Sequence, residues 1–211
     1  QGKVYIGMKG VTRDDPDYFP LLVMNDILGG GGFTSRITKR VRSDEGLAYS
    51  AGSAMIMPAY YPGEYRASFQ SKNRTVALAS KIIFEEIERM RTEPVGDKEL
   101  ETSKNSFIET FPRTFESKAG MLNVFVGDEW TGRDANYWKT YRDNIRKVTA
   151  EDVRRVAEKH LDPDAMAFMI VGKWSEIEDG DLEGRAKMAE FFDGAAVEIP
   201  LRDPLTLEPI R

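Results

Sequence analysis

Four consecutive glycines, Gly29, Gly30, Gly31 and Gly32, divide a helical pattern from a strand pattern, and no single regular element can run through them. Before them, Asp14, Asp15 and Pro16 predict a helix start, because aspartate caps free amides and proline is preorganised for the first helical position. Phe19, Leu22, Val23 and Leu28 follow, and Gly29 ends the helix. One glycine suffices as a cap, so the other three require a second reason. After them, Thr34 or Ser35 caps a short basic helix in which Ile37 and Val41 lie one turn apart, with Gly46 as its terminator. From Leu47 the period becomes two: Leu47, Tyr49, Ala51, Ser53 and Met55 point one way, and Ala48, Ser50, Gly52, Ala54 and Ile56 the other. A turn over 58–63 leads to a returning strand with Tyr65, Ala67 and Phe69 on one face, which predicts an antiparallel hairpin.

A block of helices comes next. Asn73 is the expected cap of a long one whose Val76, Ser80, Ile83, Ile87 and Met90 form a single apolar stripe. Asp97 begins another, with Leu100, Phe107 and Phe111 ahead of the breaker Pro112, and further helical periods occupy 115–126 and 137–148. Thr149 and Asp152 resemble a capping box opening a last helix that ends at His160. Residues 165–171 are apolar throughout and bounded by Asp-Pro and Gly, which predicts a central strand covered on both sides or by a second layer. Strands, helices and a final strand predict an α+β fold: a mixed, mostly antiparallel sheet with helices packed mainly on one face. The expected domain spans 1–174, and 175–211 is an acidic and then proline-rich extension carrying Pro200, Pro204 and Pro209. Gln1 leads straight into a strand-like run, which predicts a piece of a longer polypeptide.

Composition removes several function classes. With 211 residues, 41% of them hydrophobic, the chain can build a core without covalent staples. It has no cysteine, hence no disulfide, thiolate metal site or thiol nucleophile. Although Arg36, Lys39, Arg40 and Arg42 cluster, a net charge of −5 argues against a nucleic-acid partner. No apolar run approaches the ~20 residues that span a bilayer. His160 is the single imidazole, so neither a self-contained zinc site nor a Ser-His-Asp triad has residue support. Gly32 is followed by Phe33 rather than Lys-Ser/Thr, and the run follows a helix, so a phosphate loop is excluded as well.

One constellation remains. The segment Asn25-Asp26-Ile27-Leu28-Gly29-Gly30-Gly31-Gly32-Phe33-Thr34-Ser35-Arg36-Ile37, followed by Val41-Arg42-Ser43-Asp44-Glu45-Gly46-Leu47-Ala48-Tyr49-Ser50, resembles the C-terminal, non-metal domain of the pitrilysin, insulin-degrading enzyme and mitochondrial processing peptidase family of inverzincin zinc peptidases. The likeness covers roughly residues 1–174. It implies one half of a clamshell, in which a partner domain carries an inverted His-x-x-Glu-His zinc motif and this chain carries none. It further implies that Arg42 and Tyr49 reach toward the partner's zinc as catalytic residues, and that Gly29, Gly30, Gly31, Gly32 and Phe33 form a loop that contacts substrate. The partners so implied are a metal-bearing domain, in the same chain or a separate subunit, and an extended peptide bound along a strand edge, with a homodimer as a further arrangement. Bacterial relatives of this layout are often exported, which inclines the expectation toward the periplasm.

The chemistry suits those residue types. Peptide hydrolysis develops negative charge on the carbonyl oxygen, and a preorganised phenol or guanidinium aimed at it stabilises the transition state. The bland alternative makes Tyr49 a packed strand aromatic, Arg42 a solvated helix charge, and the glycines a cap and a tight turn. At the level of function the alternative is a catalytically silent structural or peptide-binding subunit of the same fold.

Overall fold

A computed structural model describes residues 1–191 and 196–210 of the chain. Strand β1 (Gly2–Lys9) leads to α1 (Tyr18–Asn25), a short α2 (Arg36–Thr38), and the hairpin β2 (Ala48–Ile56) and β3 (Glu64–Ser71). Five helices follow: α3 (Val76–Thr92), α4 (Asp97–Thr110), α5 (Lys118–Thr131), α6 (Tyr137–Lys147) and α7 (Ala150–His160). Strand β4 (Ala167–Val171) and α8 (Trp174–Ile177) complete the regular elements. The sheet order is β2-β3-β1-β4, and each pairing is antiparallel. The α+β class holds, and antiparallel pairs account for the whole of this sheet.

Period-two alternation explains which face is buried. Val4 and Ile6 of β1 and Tyr65, Ala67 and Phe69 of β3 point to one side, where Val76, Ile83, Ile87 and Met90 of α3 meet Val153, Val156 and Ala157 of α7. Leu21, Met24 and Leu28 close the core from α1 and the turn that continues it. The capping box of α7 forms as its spacing predicts, the Thr149 Oγ1 accepting from the Asp152 N–H and the Asp152 carboxylate accepting from the Thr149 N–H. Asn73 does not cap α3. A single 3-10 turn precedes that helix, and the Asn73 amide donates to Glu176 Oε2 at 2.9 Å, tying α8 to the sheet end.

Two expectations change. First, β4 is an edge strand, not a central one: Phe168 and Ile170 share the core face with Ile6 and Val4, while Met169 and Val171 are more than half exposed on the other. An uninterrupted apolar run says only that no position is polar, and it cannot say whether both faces are covered. Second, packing continues beyond 174. Ile177, Ala186 and Met188 are buried, and the Phe191 ring stacks on Phe84 at 5.6 Å. Residues 196–210 are largely exposed, with one isolated bridge between Arg202 and Pro209.

Candidate functional site

The glycine run joins α1 to β2 at a distance that side chains would forbid. Beyond Asn25 the helix widens into a π-helical turn, Asp26–Gly30, which lies across β2. A Cβ on Gly29 would fall 2.4 Å from the Ser53 backbone nitrogen, and one on Gly52 would fall 2.7 Å from the Gly29 carbonyl oxygen. The contact is therefore backbone to backbone, and the Ser53 hydroxyl locks it by donating to Asn25 Oδ1 at 2.8 Å. Gly32 has φ +61°, a left-handed conformation, and the single 3-10 turn Gly32–Thr34 then lifts Phe33 into solvent at 67% exposure. Ser35 fastens the far side of the loop through its hydroxyl to the Gly32 carbonyl at 2.7 Å, and Thr38 bonds the Ala51 carbonyl at 2.7 Å.

The three arginines of the short basic segment have different fates. Arg36 is buried and forms a bidentate pair with Glu99, Nε to Oε1 at 2.9 Å and Nη2 to Oε2 at 2.7 Å. The guanidinium holds the Glu99 carboxyl below the usual carboxylate range, against the opposing effect of burial. Arg40 bonds Glu85 and Glu86 at 2.8 and 3.0 Å. Arg42, on the π-helical turn Lys39–Asp44, has no carboxylate partner among the described residues. Its guanidinium lies instead between two rings, 4.4 Å from the Phe33 centroid and 4.7 Å from that of Tyr49.

Tyr49 reaches this position because β2 is irregular. Ala48 pairs with Ser71 and Ser50 with Gln70, which leaves Tyr49 as the extra residue of a β-bulge. Strict alternation would put Tyr49 on the same side as Ala51, inside the core. The bulge lets Ala48 and Ala51 both turn inward and sends Tyr49 out to 84% exposure. The outcome is a surface stack of Phe33, Arg42 and Tyr49, offering a phenol and a set of guanidinium donors whose edges face solvent. Gly30, Gly31 and Gly32 border it, whereas Gly29 is buried under Ser53.

The other chemical cluster lies at the opposite end of α1. Asp15, Asp17 and His160 bring ligand atoms within 4.8 Å of one another. Asp17 is already committed: Arg155 donates to Oδ1 at 2.8 Å, and Lys159 and His160 meet Oδ2 at 2.7 and 2.8 Å. Two cations on the carboxylate occupy the positions that a metal ion would need, so these residues do not fit zinc. The cluster is an ion-paired tie between α1 and α7. No helix is long and apolar enough to cross a membrane among the described residues.

Residues 1–107 match the model of the peptidase M16 inactive domain. The chain belongs to that family. The Helicobacter pylori protein named non-peptidase homolog YmxG is 29% identical to this M16 inactive domain over 175 residues, which make up 81% of the chain and 39% of the relative. Bacillus subtilis YmxG, named an uncharacterized zinc protease, is 28% identical over 168 residues, 74% of the chain and 37% of the relative. Among solved structures, an M16 inactive domain from Pseudomonas fluorescens superposes with a TM-score of 0.73 at 24% identity, over 80% of this chain and 40% of that one. A protease from Helicobacter pylori gives 0.74 at 17% identity, over 82% and 41%. The chain thus spans about two-fifths of the length of these relatives.

Membership in the M16 inactive-domain family agrees with the resemblance read from the glycine run and the Arg42 to Tyr49 segment. It also implies no catalytic zinc on this chain. The bidentate Arg36–Glu99 pair escaped sequence reading, because its partners lie 63 positions apart and carry no common motif. The bulge at Tyr49 escaped it because Ala48 and Ala51 satisfy either register.

Proposed function

We propose that the chain acts as the zinc-free half of a clamshell metallopeptidase, supplying Arg42 and Tyr49 to a partner domain that carries a His-x-x-Glu-His zinc site. One observation carries this reading. An arginine without a carboxylate partner is held between two aromatic rings at the surface, beside a phenol that a bulge turns outward. A packed strand tyrosine would be inside the core, and a solvated arginine would not be clamped. Zinc, held by the partner domain, supplies Lewis-acid activation of water and of the scissile carbonyl. Tyr49 donates its O–H to the developing oxyanion, and Arg42 orients the substrate carbonyls or the phenol.

The substrate loop is narrower than the glycine run. Gly29 serves packing and the Gly31 N–H is donated to the Asp26 carbonyl at 2.8 Å, which leaves the side-chain-free backbone of Gly30 and Gly32 and the exposed ring of Phe33 to meet an extended peptide. A catalytically silent subunit of the same fold is the second reading, favoured by the name non-peptidase homolog that the Helicobacter relative carries. The two readings separate in one experiment. Mixed with its metal-bearing half, the chain is expected to support peptide cleavage, and Tyr49→Phe to lower kcat about 100-fold, the loss typical of a missing oxyanion donor. Arg42→Ala is expected to lower kcat/KM on a similar scale with circular dichroism unchanged. Equal rates for wild type and both variants would remove the catalytic assignment.

A further inference from the structure

Helix α5 turns an apolar face to solvent. None of its residues is buried, and Ala119 to Gly127 form a stretch without a charge. Met121, Val124 and Asp128 lie on the inward side, half-buried, whereas Ala119, Leu122, Val126 and Trp130 follow one another at helical spacing on the outward side, all exposed. The helix is tethered at its C-terminal end by side-chain bonds: Trp138 to Asp128, the Arg13 guanidinium to Thr131, and the Tyr60 hydroxyl to the Trp130 carbonyl at 2.6 Å. That last bond sets the exposed Tyr60 beside the C-terminal end of the helix.

Two features of α5 have no explanation within the chain. Gly127 lies inside the helix, where glycine is the poorest former after proline, yet a Cβ there would meet nothing within 4 Å. Lys118 stands at the N-terminal end and Glu129 at the C-terminal end, the reverse of what the helix dipole favours, and neither has an ion-pair partner among the described residues.

We infer that α5 is the docking surface for a second copy of this chain, packed antiparallel across a two-fold axis at the level of Val124. That arrangement sets Lys118 beside Glu129 of the second copy and answers both misplaced charges twice over. It places Leu122 against Val126, sets the small Ala119 by the bulky Trp130, and lets the second helix approach along Gly127. Tyr60, Leu122, Phe125, Val126 and Trp130 are each more than half exposed, on the order of 600 Å² per copy at the size of such side chains. A standard interface buries about 800 Å² per partner. A partner of unrelated sequence would have no reason to match this helix's own reversed charges.

Sedimentation velocity over a range of concentrations tests the pairing. The chain is expected to dimerise reversibly. Val126→Asp is expected to leave only monomer, and Lys118→Glu and Glu129→Lys each to weaken dimerisation about ten-fold at low salt. The combined Lys118→Glu/Glu129→Lys chain is expected to regain the wild-type constant, since the swapped charges still face each other across the axis. Lys118, Val126 and Glu129 are all exposed, so circular dichroism should be unaltered. A chain that stays monomeric, or a double variant as weak as the singles, overturns the inference. So does a monomer whose Val126→Asp variant instead loses binding to a metal-bearing half.

Discussion

Gly29 and Gly52 fix how closely α1 lies on β2, and everything that the loop presents depends on that distance. Replacing Gly29 by alanine drives a methyl group against the Ser53 nitrogen and hydroxyl, both 2.4 Å away, where backbone rather than a mobile side chain must yield. Overpacking of this kind costs about 2–3 kcal/mol. Gly29→Ala is therefore expected to lower the urea midpoint with little change in slope, whereas Gly30→Ala meets the movable amide of Asn25 and should cost less. The glycine run was legible as an interruption that asks for more than a cap. Its division of labour was not, because each glycine answers a different neighbour: β2 for Gly29, the Asn25 amide for Gly30, the Asp26 carbonyl for Gly31, and its own φ for Gly32. The surrounding motif alone singles out Arg42 and Tyr49, whose catalytic part is the proposal made above. Alternation gave Tyr49 the wrong face, since an extra residue in a strand leaves no mark when the flanking positions are small and apolar.

Elements are joined here by a few charged ties as much as by the common core. The N-cap residue of α1, Asp17, is buried beneath three partners from α7, Arg155 in mid-helix and Lys159 and His160 in its last turn. Burial alone would raise its pKa, but the bonds from Lys159, His160 and Arg155 prevail and hold the carboxyl well below the usual range. An unfolded aspartate titrates near pH 4, so between that value and the lower folded pKa the unfolded chain binds more protons. The stabilisation is complete above about pH 4 and is lost progressively as the pH falls further. Asp17→Asn is expected to cost roughly 2 kcal/mol at neutral pH, the scale of charged hydrogen bonds, and to flatten the acid limb of the stability curve. Wild-type and variant curves that remain parallel below pH 4 would exclude this tie as the source. At this scale, local signals read well: the α7 capping box and the α3 stripe follow from residues three and four apart. The α1–α7 tie does not, because it joins positions 17 and 160. His160 read as a lone imidazole at a helix end, and only the fold supplied its carboxylate.

For the whole molecule, the decisive question is where the domain ends. The shift to acidic and proline-rich composition after Trp174 suggested a boundary, yet composition reports solubility, whereas a boundary is a place where few contacts cross. Many cross here. Ile177, Ala186 and Met188 are buried, Phe191 completes a three-ring cluster with Phe84 and Phe168, and Arg185 reaches Glu45 at 2.8 Å. This segment lies over one end of α3 and the sheet, and it helps to cover the inner face of the exposed edge strand β4. A chain ended after Trp174 loses at least two large buried side chains, about 1.5–3 kcal/mol each, and uncovers Phe84 as well. Against a total stability of roughly 5–15 kcal/mol, that loss leaves a marginal domain. A chain ended after Phe191 retains all of these contacts and is expected to melt as the full chain does. If instead the two truncations melt together, the segment between them adds nothing to the fold, and 174 regains its place as the boundary.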